Sequence, residues 1–401
     1  MKDRGFEAEH ERTKTKRVSS QDALETIVIR HGLRHELKPL YWSKCSGEDV
    51  CGSFNLYAMI KWSGFMKCAS INQPGPPEQL VYGDLPTPDL QPTQVLVRIG
   101  AASINPIDTY LRSGMIAMPT SFPFIPGCDL AGTVEQVGNA VTRFRVGDRV
   151  WGSNQGLFNR QGTLAEFAAV EEDWLYPTPA KMTDRQAAAG SLTGITAQLG
   201  LFQHAHLKTG EVVFVNGGTG GVGSMVIQFV KAAGGKVIAT AGSEERRKLC
   251  RELGADMVLD YRSPKLDEEL RAAVADHGGL DIWWETQREP DLTRTIEFMK
   301  KRGRIVLMAG RDAQPQFKLG PFYTNDLKIC GFAIFNSTPY EQRVCAERMN
   351  EWFIAGKWEP LIGAEFPLSQ AAQAHRAQEE KTLKGQGSLI GKIVVVPDSV
   401  K

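Results

Sequence analysis

The chain has 401 residues, of which 42% are hydrophobic and 23% charged, and its 47 basic side chains balance 46 acidic ones to a net charge of +1. This length corresponds to roughly two to three domains. The balanced charge gives no electrostatic reason to expect a nucleic acid or an anionic membrane as the partner. No stretch of sequence approaches the ~18 consecutive apolar residues of a membrane span.

The seven cysteines are scattered along the chain without a CxxC pair. This usage is typical of a reducing compartment, so we expect a cytoplasmic protein. It also argues against a disulfide framework and against a cysteine-rich zinc site.

Residues 1–65 differ from the remainder because they mix charges of both signs without clear periodicity. Acidic residues such as Asp3 and Glu7 are interleaved with the basic ones, and no apolar segment follows, so the pattern fits neither a secretory signal nor a transit peptide. A short helix over 21–36 is the only element that the pattern suggests. We expect either a disordered or loosely attached extension, or a coding start placed upstream of a true start at Met66.

From Met66 onward, short apolar segments punctuated by glycine and proline predict a compact β-rich domain, built as a small barrel or sandwich. The predicted strands lie at residues 80–82, 95–99, 131–137, 147–152 and 162–168.

A βαβ unit follows an alanine-rich helix predicted over 181–201. The buried strand 211–215 runs into a glycine-rich loop, and a helix over 224–233 and a strand over 236–240 come next. The loop fits the dinucleotide fingerprint G-x-G-x-x-G, in which glycines allow the tight turn, the approach to a pyrophosphate and close helix packing. The helix N-terminus adds partial positive charge for the phosphates. The predicted cofactor-binding residues of this loop are Gly218, Thr219, Gly220, Gly221, Val222 and Gly223.

The end of the second strand predicts which nucleotide binds. An NAD site places Asp or Glu there for the ribose hydroxyls, whereas this chain reads Thr240-Ala241-Gly242-Ser243, followed by arginines. A guanidinium from Arg246 and a hydroxyl from Ser243 suit a 2′-phosphate, so we favour NADPH as the cofactor. An ordinary solvated helix start is the alternative interpretation.

The chain resembles the zinc-free quinone oxidoreductase (zeta-crystallin-like) branch of the medium-chain dehydrogenase/reductase superfamily. The resemblance spans residues 66–398 and depends on the glycine loop and on three segments, 103–110, 126–132 and 146–150. It implies an α/β fold, with a GroES-like β-rich catalytic domain (66–190 and 335–401) and a Rossmann domain with a doubly wound parallel sheet (191–334).

The resemblance also allows a test for zinc. The zinc ligands of the alcohol dehydrogenase branch match Asn105, Cys128 and Ala189 here. One soft ligand in three positions is too few for a tetrahedral zinc site, so we expect an enzyme without a metal.

Asn105 and Tyr110 match the active-site Asn and Tyr of the family. We expect Asn105 to hydrogen-bond the nicotinamide ribose or the substrate oxygen, and Tyr110 to orient a carbonyl or donate a proton. A turn initiator and a core aromatic are the structural alternatives. Many family members carry a second Tyr a few residues later, where this chain reads Met115-Ile116.

Further cofactor contacts are expected along the same groove. Tyr261 matches a family Tyr beside the adenosine, and Glu285 lies at a strand end where cofactors bind, so we place it beside the nicotinamide ribose. Gly310 and Arg311 follow the next strand at the same edge, and Phe335 is assigned to the same set.

The leading hypothesis is therefore an NADPH-dependent reductase of quinones or α,β-unsaturated carbonyls that acts on a small-molecule substrate. A 2-enoyl-thioester reductase is the enzymatic alternative, for which Arg376, Lys381 and Lys384 would line a basic groove, although a solvated helix face explains them more simply. A non-catalytic NADPH-binding protein is the alternative of another class. We expect a homodimer through an edge strand near residues 328–334, as the resemblance implies.

Overall fold

A computed structural model describes residues 64–386 and 388–398. The predicted helix over 21–36 and the predicted extension up to residue 63 lie outside the described residues. The described chain is built on two large sheets, one mostly antiparallel with seven strands and one parallel with six, and on a small two-stranded sheet.

The antiparallel sheet has the strand order β14-β15-β3-β4-β5-β7, and β6 pairs with β3. Two of these strands, β14 and β15, come from the end of the chain, so the chain returns to this sheet after the parallel one. β1 and β2 form the two-stranded sheet. The strands outside the parallel sheet are β1 Phe65–Ser70, β2 Val81–Pro86, β3 Gln94–Ile104, β4 Asp129–Val137, β5 Arg149–Gly152, β6 Phe167–Glu171, β7 Leu175–Pro177, β14 Ile362–Pro367 and β15 Lys392–Val396.

The strand predicted over 162–168 is wrong for most of its length, since the ladder begins only at Phe167. Gly162 N–H donates to the Ile125 carbonyl, and the Leu164 carbonyl accepts from Ala69 N–H. The described segment before Phe167 therefore satisfies its backbone partly against the loop at Ile125 and partly against β1, instead of along one continuous ladder.

Three strand ends meet where β3 finishes. Ser103 pairs with Asp129 at the start of β4, and Ile104 pairs with Ile393 near the start of β15. Residues far apart in sequence are thus placed side by side under the helix that follows β3.

The parallel sheet has the order β10-β9-β8-β11-β12-β13, the doubly wound arrangement in which ligands bind at the carboxyl ends of the strands. Its strands are β8 Val212–Val215, β9 Lys236–Ala241, β10 Met257–Asp260, β11 Leu280–Glu285, β12 Met299–Leu307 and β13 Lys328–Gly331.

The helices pack on the two faces of the parallel sheet and across the ends of the antiparallel one. They are α1 Pro106–Ser113, α2 Asp184–Gln198 (continued as a π-helix over Leu199–His204), α3 Gly221–Ala232, α4 Glu244–Glu252, α5 Leu266–Val274, α6 Leu292–Glu297, α7 Leu319–Thr324, α8 Pro339–Ile354 and α9 Ala371–Thr382. None of these helices is long and apolar enough to cross a membrane.

The centre of the parallel sheet is the main apolar core. Trp283 and Trp284 are fully buried and enter different apolar clusters, because successive side chains of a strand point to opposite faces.

Candidate active site

The glycine loop joins β8 to α3 at the carboxyl edge of the parallel sheet. Gly218 packs so closely that an added Cβ would lie 2.7 Å from the Cys250 sulfur, whereas a Cβ at Gly220 would meet only the Gly217 carbonyl, at 3.4 Å. Gly220 is the N-cap of α3 and forms no side-chain cap. No side chain of the described residues therefore caps the first N–H groups of the helix, which leaves them available to an anion.

Arg246 and Arg247 are neighbours at the start of α4, but their guanidinium groups have different hydrogen-bond partners. Arg247 forms ion pairs with Glu244 at 2.9 Å and with Asp260 at 2.6 Å. Arg246 donates only to backbone carbonyls, of Ser388 at 3.1 Å and Leu389 at 3.4 Å, and no ion pair to it forms among the described residues. A guanidinium held by neutral carbonyls keeps an uncompensated charge that a ligand phosphate can take.

Ser243 is the N-cap of α4, and its hydroxyl oxygen accepts from Arg246 N–H at 3.3 Å. The hydroxyl proton remains available to a ligand. The two residues predicted for the 2′-phosphate thus lie at one helix terminus.

Of the three cations interpreted as a solvated helix face, Lys381 in the last turn of α9 is the one that departs from that interpretation. Its side chain is half-buried, and burial together with the nearby charges of Arg246 and Lys392 lowers its pKa to about 8. Within the described ranges it forms no hydrogen bond or ion pair. The other two residues of the suggested basic groove differ, because Arg376 pairs with Glu78 and Lys384 is exposed.

Asn105 caps α1 and lies fully buried in a polar network that sequence reasoning missed. Its Nδ2 donates to Asp129 Oδ2 at 2.8 Å, and its Oδ1 accepts from the Lys392 ammonium. Asp129 also accepts from the hydroxyls of Ser103 and Ser153, both at 2.8 Å. The only sequence signal for the network was that Asp129 follows Cys128, a position matched to a zinc ligand.

Tyr110 stands on α1 beside an apolar wall. Burial raises the pKa of its phenol, with the Arg288 guanidinium acting in the opposite direction, so the hydroxyl keeps its proton at neutral pH. The wall is a cluster of apolar side chains: Ile107, Leu111, Ile116, Met118, Cys128, Leu157, Leu192 and Phe335. Phe335 also meets Phe158 edge to face, with ring centroids 6.2 Å apart.

The Glu285 carboxylate is almost fully occupied by its neighbours. It accepts from Asn216 Nδ2 at 3.0 Å, from Trp283 Nε1 at 3.0 Å and from Gln287 N–H at 2.7 Å. It therefore ties the ends of β8 and β11 together, and its expected contact with the nicotinamide ribose stays a prediction.

The remaining predicted residues lie along the same edge. Arg311 donates to the Met115 carbonyl at 2.7 Å and so links this edge to the loop after α1, while Gly310 turns the chain with a φ of 77°. Tyr261 is 48% exposed, and its hydroxyl lies over Gly242. The roles of all these residues toward a cofactor stay predictions.

The residues at the positions matched to zinc ligands do not fit that ion. Asn105 offers an amide oxygen that Lys392 already engages, and Ala189 offers a methyl group. Burial and two neighbouring carboxylates raise the pKa of Cys128 well above its usual value, which disfavours the thiolate that zinc needs. Within the part of the chain that the structure describes, no group of three or more His, Cys, Asp or Glu side chains is placed to hold a metal.

A doubly wound sheet with an uncapped, glycine-lined helix terminus, joined to a β-rich domain with an apolar side-chain cluster, defines a nicotinamide-dependent oxidoreductase. Two families match the chain, the alcohol dehydrogenase GroES-like domain over residues 91–180 and the zinc-binding dehydrogenase over residues 221–350.

Individual oxidoreductases are similar to this chain over most of its length. Quinone oxidoreductase of Mus musculus is 33% identical over 82% of this chain and 98% of its own. The chloroplastic NADPH-dependent alkenal/one oxidoreductase of Arabidopsis thaliana is 31% identical over 77% of this chain and 74% of its own. A mycobacterial structure complexed with NADPH superimposes with a TM-score of 0.71 at 26% identity, over 83% of this chain and all of that one. The chain belongs to the quinone oxidoreductase-like family of medium-chain dehydrogenases/reductases, and it is an oxidoreductase with small-molecule substrates.

Proposed function

We propose that the chain is an NADPH-dependent, metal-free reductase of quinones or α,β-unsaturated carbonyls. The observation that carries the proposal is the unpaired charge at the end of β9, where Arg246 meets only carbonyl oxygens and Lys381 lies close by. A site for NAD would present a carboxylate here to the ribose hydroxyls. Cations without a counter-ion favour the additional phosphate of NADPH.

The residues of the groove fit the rest of such a cofactor. The uncapped N-terminus of α3 would hold the pyrophosphate, and Gly220 leaves room for it. Arg246, Ser243 and Lys381 would hold the 2′-phosphate. When bound, the reduced nicotinamide supplies a hydride to an acceptor held beside it.

The substrate side combines two donors with an apolar wall. Asn105 has one N–H left after its bond to Asp129, and Tyr110 keeps its phenolic proton. Tyr110 would donate to a carbonyl oxygen as negative charge develops on it, and the buried Asn105 N–H would do so once the substrate displaces the side chains that cover it. The wall around Leu111, Leu157 and Phe335 suits a flat or unsaturated apolar body and excludes water from the reacting carbonyl.

The enoyl-thioester alternative gains no support from the suggested basic groove. Of its three cations, Arg376 is held by Glu78 and Lys381 lies toward Arg246. The Arabidopsis relative, named for NADPH and for alkenals, and the mouse quinone oxidoreductase favour the proposed chemistry.

We also infer a homodimer through β13, which pairs with β12 along one edge and with no other strand among the described residues. Sedimentation of the purified chain tests this inference. A charged substitution at Ile329, which is part-buried on this strand, should shift the assembly toward the monomer.

The direct test of the function is steady-state oxidation of NADPH and NADH by purified protein with benzoquinone, phenanthrenequinone, a simple enone and crotonyl-CoA. We expect turnover of a quinone or the enone, with NADPH preferred. Turnover of crotonyl-CoA alone would identify an enoyl-thioester reductase. Tight NADPH binding without any turnover would identify a binding protein.

Arg246→Gln tests the cofactor assignment, with Arg247→Gln as a matched control one residue away. Loss of a charge-assisted phosphate contact should raise the KM for NADPH by about tenfold or more and leave the KM for NADH nearly unchanged. Arg247 already pairs with two carboxylates, so its substitution should change neither constant appreciably. Equal effects of Arg246→Gln on both cofactors would refute the 2′-phosphate assignment.

A further inference from the structure

Lys392, the first residue of β15, carries an ammonium group into the interior of the catalytic domain. Its side chain is only 5% exposed, and the ammonium donates to the Ile104 carbonyl at 2.8 Å and to Asn105 Oδ1. Asp129 Oδ2 lies 3.8 Å away. Burial disfavours a cation, so this one needs its partners in place to stay charged.

The partner carboxylate is held by several donors at once. Besides Asn105 and the hydroxyls of Ser103 and Ser153, the Leu192 N–H donates to Asp129 at 3.2 Å. Burial raises the pKa of Asp129, whereas the Lys392 charge and the donors on both carboxylate oxygens act in the opposite direction and favour the ionised form. Lys392 and Asp129 therefore form a buried ion pair that encloses the Asn105 amide.

This ion pair fixes which way the Asn105 amide faces. An ammonium has only hydrogens to donate and an ionised carboxylate has only lone pairs to accept with. The amide oxygen must therefore face Lys392 and the amide nitrogen must face Asp129. A flipped amide would set its N–H groups against the ammonium and its oxygen against the carboxylate, with both contacts repulsive.

The ion pair also limits the hydrogen bonds that the Asn105 side chain can still form. Its oxygen is engaged, and one of its two N–H groups is taken by Asp129, so a single N–H donor remains. A lone donor suits an oxygen that gains negative charge, and it offers nothing to a group that needs an acceptor.

Asn105 is at one of the three positions that match zinc ligands in the alcohol dehydrogenase branch, and the residues at these positions do not fit zinc. The Ser103 hydroxyl, whose single proton is donated to Asp129, also lies 3.0 Å from the carbonyl of Ala188, next to the third of those positions at Ala189. The Lys392 ammonium is thus the positive charge that this buried site contains.

We propose that Lys392 is a positioning residue, whose buried ammonium takes the place of a metal cation in this site and holds the Asn105 amide as a donor to the substrate oxygen. This inference extends the proposed reductase function. It assigns no proton or hydride transfer to Lys392 itself.

The test compares Lys392→Met with the double variant Asp129→Asn/Lys392→Met. The single variant leaves a buried carboxylate without its counter-charge, so it should lose thermal stability and turnover together. The double variant removes both charges, and most of the stability should return. Its kcat should stay about tenfold to a hundredfold below wild type, because the Asn105 amide is no longer fixed, while the KM for NADPH should stay within about twofold. Recovery of kcat together with stability would show that Lys392 is only structural.

A second measurement does not depend on turnover. In protein labelled with [15N]asparagine, the side-chain amide signal of Asn105, assigned by its loss in Asn105→Asp, should be protected from exchange with solvent. The protection should vanish in the double variant and remain in Lys381→Met. A protected signal that persists in the double variant would overturn the proposal. Wild-type protein that shows the expected signals but reduces no substrate would refute the proposed function alone.

Discussion

The two sides of the proposed site treat charge in opposite ways. Beneath Asn105, the charges of Asp129 and Lys392 are buried and paired with each other. At the end of β9, Arg246 and Lys381 are partly accessible, and no carboxylate pairs with either among the described residues. A buried charge is tolerated when partners satisfy it, whereas an unpaired cation at a groove is costly unless a ligand completes it. The paired side therefore holds side chains in place, and the unpaired side binds.

The largest expected effect comes from breaking the paired side. Asp129→Ala leaves the Lys392 ammonium buried without a counter-charge and should lower the free energy of unfolding by about 3–5 kcal/mol. Lys381→Met on the unpaired side removes a cation that already lacks a partner and should change it by less than about 1 kcal/mol. Chemical denaturation of both variants measures the contrast, and similar losses would show that the two sides do not differ in this way.

His375 in α9 tests the same rule for a group that is buried but not paired. Neither ring nitrogen has a hydrogen-bond partner among residues 64–386 and 388–398, and burial together with the Arg112 charge lowers its pKa from 6.5 to about 3. The unfolded chain binds a proton between these values that the folded chain does not, so stability falls as the pH drops from about 6.5 toward 3.

His375→Phe should remove this contribution and flatten the acid side of the stability profile by up to about 1.4 kcal/mol per pH unit. Urea unfolding at a series of pH values measures it. His277, which is part-buried at the end of a short 3-10 helix, supplies the control variant. An unchanged acid profile in His375→Phe would mean that the ring is solvated and free to ionise.

The contrast also explains what could be predicted from sequence. One stretch of about thirty residues contains the βαβ unit, its glycine loop and the segment after β9 that lacks an acid. Because these features are close in sequence, their spacing is enough to predict their geometry. The fold class and the family are confirmed on this basis.

The network beneath Asn105 could not be found in this way. Ser103, Asp129, Ser153 and Lys392 come from four strands or strand ends, and the register of β3 with β4 and β15 and of β4 with β5 brings them together. The position of Lys381 near Arg246 was not predicted for a related reason. A lysine among polar helix residues indicates a solvent-exposed side chain unless the tertiary partner of that helix is known.

The unpaired side should respond to pH through Lys381, whose pKa is about 8. The charged form attracts the 2′-phosphate, so the KM for NADPH should rise as the pH passes through about 8, while the KM for NADH stays nearly flat. Lys381→Met should remove this dependence and raise the KM for NADPH at neutral pH by roughly tenfold. A pH dependence that survives in Lys381→Met would assign the titration to another group.

The smallest expected effect lies at the most exposed part of the unpaired side. A methyl group at Gly242 would lie 2.5 Å from the Tyr261 hydroxyl, but the Tyr261 ring is 48% exposed and can turn toward solvent. Gly242→Ala should therefore raise the KM for NADPH and NADH alike by about twofold, because Tyr261 is expected beside the adenosine that both cofactors share. Gly83→Ala in β2, where a methyl group meets nothing within 4 Å, is the control. A loss confined to NADPH would instead place Tyr261 at the phosphate, next to Arg246.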